Sequence, residues 1–145
     1  MKKGVLVILA LMGLATACNV EPSPIQYGSD ECSFCSMMIM DERFGAELVN
    51  EKGKLYKFDS GECMIRFKLK NDDTEFAHVM VTHFQEPKQL QDAQSSYFVV
   101  SENIPSPMGG NLSAYPSEEL AYAAVNENNG EVYSWLEILD SFQSR

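Results

Sequence analysis

A short pattern occurs twice in this sequence and constrains the fold more than any other feature. An aromatic residue that ends a predicted strand is followed by a serine two positions later and by a glutamate four positions later, at residues 58–62 and again at 115–119. Serine is favoured at helix N-caps, and an acidic side chain in the first turn complements the helix dipole. A strand–cap–helix order that recurs within one chain indicates two related units in tandem.

The patterning around each copy predicts the same order of elements. In the first half we predict strands at 44–49, 54–58 and 76–81, with a turn at 50–53 and a helix after Ser60. In the second half we predict strands at 96–100, 112–115 and 131–133, a helix from 117 to 125 and a terminal helix at 135–139. The expected fold is therefore α+β, with two tandem ββαβ units at 31–84 and 85–145, each a small antiparallel or mixed sheet with a helix.

The N-terminus has the pattern of an export signal. A basic start is followed by an apolar run at 5–12 that is too short to span a bilayer, and small residues then lead to Cys18. Residues 14–18, Leu-Ala-Thr-Ala-Cys, resemble a bacterial lipobox, which predicts a signal peptide at 1–17 and a lipid on Cys18. The alternative is an ordinary signal peptide that is cleaved after Ala17, and both interpretations predict export.

The residues after the signal are predicted to connect an anchor to a domain. Residues 18–30 are polar, contain Pro22 and Pro24, and show no apolar periodicity, so we expect a flexible tether. Asn19 follows the predicted lipidated cysteine, which in a Gram-negative cell favours the periplasmic face of the outer membrane over the cell membrane.

The charge of the mature chain restricts its partners. Loss of Lys2 and Lys3 with the signal leaves nine basic residues against 21 acidic ones. Affinity for nucleic acid depends on basic side chains that neutralise phosphates, so a nucleic-acid-binding function is excluded. The same balance opposes attraction to anionic lipid, so membrane attachment should be through the lipid anchor.

Sulfur is concentrated just before the first predicted strand. Cys32, Cys35, Met37, Met38 and Met40 lie within nine residues. Thiolate and thioether ligands select soft cations such as Cu(I), and Cys32, Cys35 and Met37 could supply such a site locally. Met38 and Met40 are interpreted instead as packing residues.

Two other interpretations of the Cys-x-x-Cys motif remain open on the residues alone. A periplasmic thiol-disulfide oxidoreductase would use Cys32 and Cys35, although no βαβ context precedes the motif. A structural zinc site would need four ligands at a recognisable spacing, and only Cys63, His78 and His83 are available as further donors. With Cys18 lipidated, three cysteines remain, so a disulfide framework such as Cys32–Cys35 cannot use them all.

A distant ligand is expected from the second half of the chain. Met108 lies in a Pro/Gly-rich loop at 105–110, where a large apolar side chain is more readily explained by presentation toward a site than by packing. Cys63 is expected to be buried in the first helix rather than to bind metal. His78 and His83 are five residues apart on a predicted strand, so they face opposite sides and do not form a simple pair.

Taken in order, these motifs resemble the NosL family of copper-binding lipoproteins. The resemblance rests on Cys32-x-x-Cys35-x-Met37, residues 41–47, Phe58-Asp59 with Cys63-Met64, the loop that contains Met108, and residues 112–115, in addition to the lipobox. It covers nearly all of the mature chain, which makes it more specific than any single motif.

The resemblance implies a function in copper delivery rather than catalysis. By position, Cys32, Cys35, Met37 and Met108 would form a Cu(I) site. The implied function is that of an extracytoplasmic Cu(I) metallochaperone in denitrification, for assembly of the copper centres of nitrous oxide reductase. The implied partners are that reductase and its membrane-associated maturation complex with an ATP-binding-cassette transporter.

Overall fold

The computed structural model describes residues 20–144. The predicted signal peptide and Cys18 lie outside the described residues. The elements are β1 (Ala46–Asn50), β2 (Leu55–Phe58), α1 (Gly61–Lys70), β3 (Phe76–Thr82), β4 (Leu90–Asp92), β5 (Tyr97–Val100), β6 (Leu112–Tyr115), α2 (Glu118–Asn128), β7 (Glu131–Ser134) and α3 (Trp135–Gln143). Within the described range, no helix is long and apolar enough to cross a membrane.

The first sheet is antiparallel and has the order β2-β1-β3-β4. Side chains alternate between its two faces, and the inner face packs against α1. On this face the rings of Tyr56 and Phe58 lie 4.9 and 5.3 Å from the ring of Phe67 in α1. Leu48 of β1 is fully buried beneath the same helix.

The second sheet repeats the arrangement with the order β6-β5-β7, and it is also antiparallel. Ser117 caps α2, as predicted, and its hydroxyl accepts a hydrogen bond from the backbone N–H of Leu120 at 3.3 Å. Asn129 has a φ of 59° and Gly130 a φ of 120°, so α2 ends on residues that tolerate the left-handed region. The predicted α+β fold with two tandem ββαβ units and a terminal helix is confirmed.

Two parts of the first unit differ from the expected organisation. A short strand, β4, pairs with β3 and adds a fourth strand to the first sheet, so this sheet extends beyond residue 84 to Asp92. Residues 20–27, here named the N-terminal strap, lie against the first sheet although a flexible tether was expected over 18–30. Ile25 is buried in the core, since its apolar side chain packs over Gly45.

One hydrophobic core joins both sheets. It contains Leu48 and Met64 of the first unit together with Phe98, Leu112 and Trp135 of the second. A smaller cluster lies between α2 and the second sheet. The contact between the two units is therefore part of the main core, and the first turn of α1 lies next to it.

Candidate metal site

A tight loop positions the first two thiols. The N–H of Cys32 donates to the carbonyl of Met37 at 2.8 Å, and the N–H of Ser36 donates to the carbonyl of Cys32 at 2.9 Å. Ser36 has a φ of 62°, in the left-handed region, which closes the loop around Cys35. The N–H of Ser33 donates to the carbonyl of Lys57 at 2.7 Å, so the loop is fixed to the edge strand β2.

The start of α1 supplies two further candidate metal ligands, Asp59 and Cys63. Ser60 is the N-cap, and its hydroxyl accepts from the N–H of Cys63 at 3.4 Å. Because Ser60 caps the helix, the carboxylate of Asp59 is available for other contacts. The thiol of Cys35 donates to Oδ2 of Asp59 at 3.6 Å. The helix predicted after Ser60 therefore begins as expected, with Ser60 as its N-cap.

Four side chains from the loop and the helix thus form one cluster. The ligand atoms of Cys32, Cys35, Asp59 and Cys63 all lie within 4.8 Å of one another. A metal with bonds of about 2.3 Å to sulfur would hold tetrahedral ligands about 3.8 Å apart and trigonal ones about 4.0 Å apart. The cluster therefore needs a contraction of only about 1 Å to bind an ion. Cys32, Asp59 and Cys63 are buried, and Cys35 is partly exposed.

The surroundings favour a thiolate at Cys32. A hydrogen bond from the Cys63 thiol, opposed by burial and reinforced by the backbone N–H groups of Cys35, Asp59 and Phe34, lowers the pKa of Cys32 to about 6. The same hydrogen bond and burial raise the pKa of Cys63. Burial and the neighbouring Cys32 raise the pKa of Cys35. None of these three thiols forms a disulfide. These shifts favour a single thiolate in the cluster at neutral pH, on the sulfur of Cys32.

The predicted ligands Cys32 and Cys35 lie in this cluster, whereas the two predicted thioethers are less closely placed. Met37 is 46% exposed at the end of the loop. Met108 is partly buried against the main core, to which Cys32 and Cys63 also belong. Met37 and Met108 therefore stay predictions as ligands.

The packing assignment of two other methionines is wrong. Met38 is 51% and Met40 65% exposed, and the residue between them, Ile39, is fully buried. The cause is the alternation of an extended segment, which the hydrogen bond from the N–H of Ile39 to the carbonyl of Asp30 at 2.9 Å holds in place. Because Ile39 points inward, its two neighbours point outward.

Neither histidine belongs to the cluster. Nε2 of His78 lies 2.9 Å from the carbonyl oxygen of Val20, so this ring contacts the N-terminal strap. His83 is buried next to β6, and its main chain forms a bridge with Ala114.

Asp59 and Cys63 are the members of the cluster that the sequence did not assign as ligands. Cys63 is buried, as expected, and its sulfur nevertheless faces the other thiols. Alignment of the two sequence repeats could have identified them as candidate ligands. Asp59 and Cys63 correspond to Pro116 and Leu120 in the second copy. The first unit therefore has a carboxylate and a thiol where its relative has apolar side chains.

A buried carboxylate connects α1 to the loop that contains Met108. Oε1 of Glu62 accepts a short hydrogen bond from the hydroxyl of Ser106, which also accepts from the N–H of Asn111 at 2.8 Å. A Cβ on Gly110 would lie 2.6 Å from Cγ of Glu62, so the loop backbone approaches as closely as glycine permits. The Met108 loop is thus held against the first turn of the helix that carries Cys63.

Comparison with known proteins assigns the chain to a family. The family model described as NosL matches residues 24–142, which include the thiol loop, both sheets and most of α3. The chain belongs to the NosL family. The resemblance stated from the sequence is therefore confirmed.

Two relatives of this chain have names that refer to copper. The copper-binding lipoprotein NosL of Stutzerimonas stutzeri is 28% identical over 145 aligned residues, which cover 92% of this chain and 76% of that protein. The crystal structure of the copper chaperone NosL from Shewanella denitrificans superposes with a TM-score of 0.71 at 21% identity, covering 81% of this chain and 95% of that chain. The second comparison shows a common fold. Both relatives are named for copper binding or copper delivery and neither for an enzymatic activity, in agreement with the expected non-enzymatic function.

Proposed function

We propose that this protein is an extracytoplasmic Cu(I)-binding chaperone that delivers copper for assembly of the copper centres of nitrous oxide reductase. The observation that supports it most directly is the cluster of three thiols and one carboxylate at the start of α1. Cys32 and Cys35 are proposed as ligands, with Cys63 as a third thiolate. Met37 and Met108 are proposed as thioether ligands that join when copper binds.

The donor set favours copper over zinc. Three thiols together with the two proposed thioethers are soft ligands, which suit Cu(I), whereas Zn²⁺ would be satisfied by the three thiolates and Asp59 alone. Cu(I) tolerates two or three ligands, so it can leave the site by exchange with an incoming thiolate or thioether. The partly exposed Cys35 and the exposed Met37 give such a ligand a route to the ion.

The proposed cellular setting is supported by the lipobox-like sequence and by the name of one relative. A lipid on Cys18 would attach the protein to the periplasmic face of the outer membrane or to the cell membrane. The relative from Stutzerimonas stutzeri is named a lipoprotein. The proposed partners are nitrous oxide reductase and its membrane-associated maturation complex with an ATP-binding-cassette transporter.

The first test is an anaerobic Cu(I) titration against a competing chelator, with Zn²⁺ titrated in parallel. We expect about one Cu(I) per monomer and tighter binding of Cu(I) than of Zn²⁺. The variants Cys32→Ser, Cys35→Ser and Met108→Leu should each bind Cu(I) more weakly. X-ray absorption at the copper edge should show sulfur ligands, with fewer in Met108→Leu.

Met40→Leu is the matched control, because Met40 belongs to the same sulfur-rich stretch but is exposed. It should bind copper like the wild type. Unchanged binding in all three ligand variants would contradict the proposal. Tighter binding of Zn²⁺ than of Cu(I) would instead favour a zinc site at the same cluster.

A further inference from the structure

The N-terminal strap is bound to the outer face of the first sheet, opposite α1. Nε2 of His78 lies 2.9 Å from the carbonyl oxygen of Val20, and the N–H of Ser23 donates to Oε1 of Glu47 at 2.8 Å. Glu47 is completely buried under the strap. Removing Ser23 as a donor would leave a buried carboxylate without this partner, so the contact contributes to holding the strap in place.

Four further contacts extend from the strap toward the thiol loop. The ammonium of Lys57 donates to the carbonyl of Pro24 at 3.0 Å and forms an ion pair with Asp30 at 2.7 Å. A Cβ on Gly45 would lie 2.8 Å from Cδ1 of Ile25 and 2.5 Å from Oη of Tyr27, so the strap packs directly on the strand backbone.

The strap runs along the strands in a defined direction. His78 lies in the same cross-strand row as Leu55, at the β1–β2 hairpin end of the sheet, and Glu47 lies in the next row on this face, with Lys57. Gly45 lies two residues before Glu47 on the same face, one row further from the hairpin. The strap therefore begins at the hairpin end and finishes near Asp59, where the metal cluster lies. Leu55 and Asp59 are separated by four residues of extended chain, or about 13 Å.

Very little chain lies between the strap and the predicted anchor. Only Asn19 lies between Cys18 and Val20 in the sequence. A fully extended chain covers at most about 3.6 Å per residue, so the two residues are at most about 7 Å apart. A lipid on Cys18 must therefore enter the bilayer close to the hairpin end.

We propose that the bound strap orients the domain on the membrane, with the hairpin end (residues 50–55) facing the lipid surface and the metal cluster facing away from it. This inference rests on the lipidation of Cys18 that belongs to the proposed function. The partner of the hairpin end is thus the headgroup surface of the bilayer that holds the anchor. The thiol loop and the exposed Met38 and Met40 remain accessible to a protein partner.

We attribute the orientation to the strap and not to electrostatic attraction, because the hairpin end carries charges of both signs. Lys52 and Lys54 are basic, but Glu51 directly precedes them, and its N–H donates to the carbonyl of Glu75, a second acidic residue, at 3.4 Å. Opposite charges at such spacing give no net attraction to anionic headgroups. Leu55 is 39% exposed at the same end and can contact the interface.

Crosslinking of the lipidated protein to the bilayer tests this orientation. The protein, purified with its lipid and checked by intact mass, is placed in vesicles of phosphatidylethanolamine and phosphatidylglycerol that contain a lipid with a photoreactive headgroup. Peptide mapping then locates the crosslinks. We expect the yield at residues 50–55 to exceed that at residues 32–40 several-fold.

Two variants distinguish the effect of the strap from the effect of the short connection to the anchor. A flexible Gly/Ser insertion of about ten residues between Asn19 and Val20 leaves the strap bound but lengthens the connection, so crosslinks should spread over the surface. The double variant His78→Ala with Glu47→Ala keeps the connection short but removes both side chains that hydrogen-bond to the strap at Val20 and Ser23, so it should also lose the preference. The insertion should bind copper like the wild type, which shows that the domain is folded.

An even distribution of crosslinks in the wild type, or a maximum at residues 32–40, would overturn the inference. An intact mass without lipid would also overturn it. Neither result changes the copper titration, so failure of this inference and failure of the proposed copper binding are distinguishable.

Discussion

The Cys32 thiol differs from its two neighbours because it receives hydrogen bonds that stabilise its charged form. Its pKa is lowered to about 6, mainly by the hydrogen bond from Cys63. We expect the apo protein to show one thiolate, by ultraviolet absorbance, that forms with a midpoint near pH 6. In Cys63→Ala the hydrogen bond is lost, so the midpoint should rise toward about 8.5, the usual value for cysteine.

Cys35→Ala is the control for this titration, because Cys35 contributes to the stabilisation of Cys32 through its backbone N–H, which the substitution keeps. The midpoint in this variant should stay near that of the wild type. The absence of any thiolate below about pH 8 would contradict the assignment. Because Cys35 and Cys63 are protonated at neutral pH, binding of a metal to them releases protons, and metal affinity should increase with pH.

At the same scale, the sequence identified two of the four members of the cluster. Cys32 and Cys35 could be recognised because their spacing is local. The contact between Cys35 and Asp59 joins residues 24 positions apart and depends on the pairing of the thiol loop with β2. No periodicity in the sequence reports such a contact, so the pattern of residues does not identify Asp59 as a ligand.

At the scale of elements, the two helix caps provide a matched pair of substitutions. Ser60 and Ser117 occupy equivalent positions in the two units, and each accepts from the N–H three residues later, at 3.4 and 3.3 Å. Loss of an N-cap serine typically costs about 1 kcal/mol. We expect Ser60→Ala and Ser117→Ala to lower the free energy of unfolding by similar amounts in denaturant titrations.

Their effects on copper should differ. Only Ser60 orients the turn that carries Cys63, so only Ser60→Ala should weaken Cu(I) binding in the chelator competition. Equal copper affinity in the two variants would show that the cap does not position the thiol.

The loop that contains Met108 depends on the hydrogen bond between Ser106 and Glu62. In Ser106→Ala the buried carboxylate loses its donor, which should cost about 1–3 kcal/mol in the free energy of unfolding. Ser95→Ala, at an exposed site, should change stability little. If the bond also positions Met108 as a ligand, Ser106→Ala should weaken copper binding in the wild type but not further in Met108→Leu. An additive loss in the double variant would contradict this function of Ser106.

Most elements could be predicted because their signals are local. Turn residues, N-cap serines and apolar alternation lie within each element, and the repeat made the prediction of two units more specific. By contrast, β4 contains only Leu90, Gln91 and Asp92, and it is recognisable as a strand only through its pairing with β3. The N-terminal strap could not be predicted for the same reason. Its polar sequence shows no periodicity, and its position is fixed by tertiary contacts.

At the scale of the whole molecule, the two units share one core and should therefore unfold together. Trp135 lies in the second unit, whereas Cys32, Cys35 and Cys63 lie in the first, so the chain contains a separate probe for each half. Trp135 packs with its ring 5.8 Å from that of Phe98, in the core to which Cys63 also belongs.

We expect Trp135 fluorescence and the accessibility of Cys63 to a thiol reagent to change at the same denaturant concentration. Leu112→Ala, a core substitution in the second unit that lies beside Gly61 of α1, should cost about 2–5 kcal/mol and shift both transitions equally. Labelling of Cys63 at a lower denaturant concentration than the fluorescence change would show that the first unit opens alone. Coincident transitions would mean that the metal cluster exists only when both halves of the chain are folded.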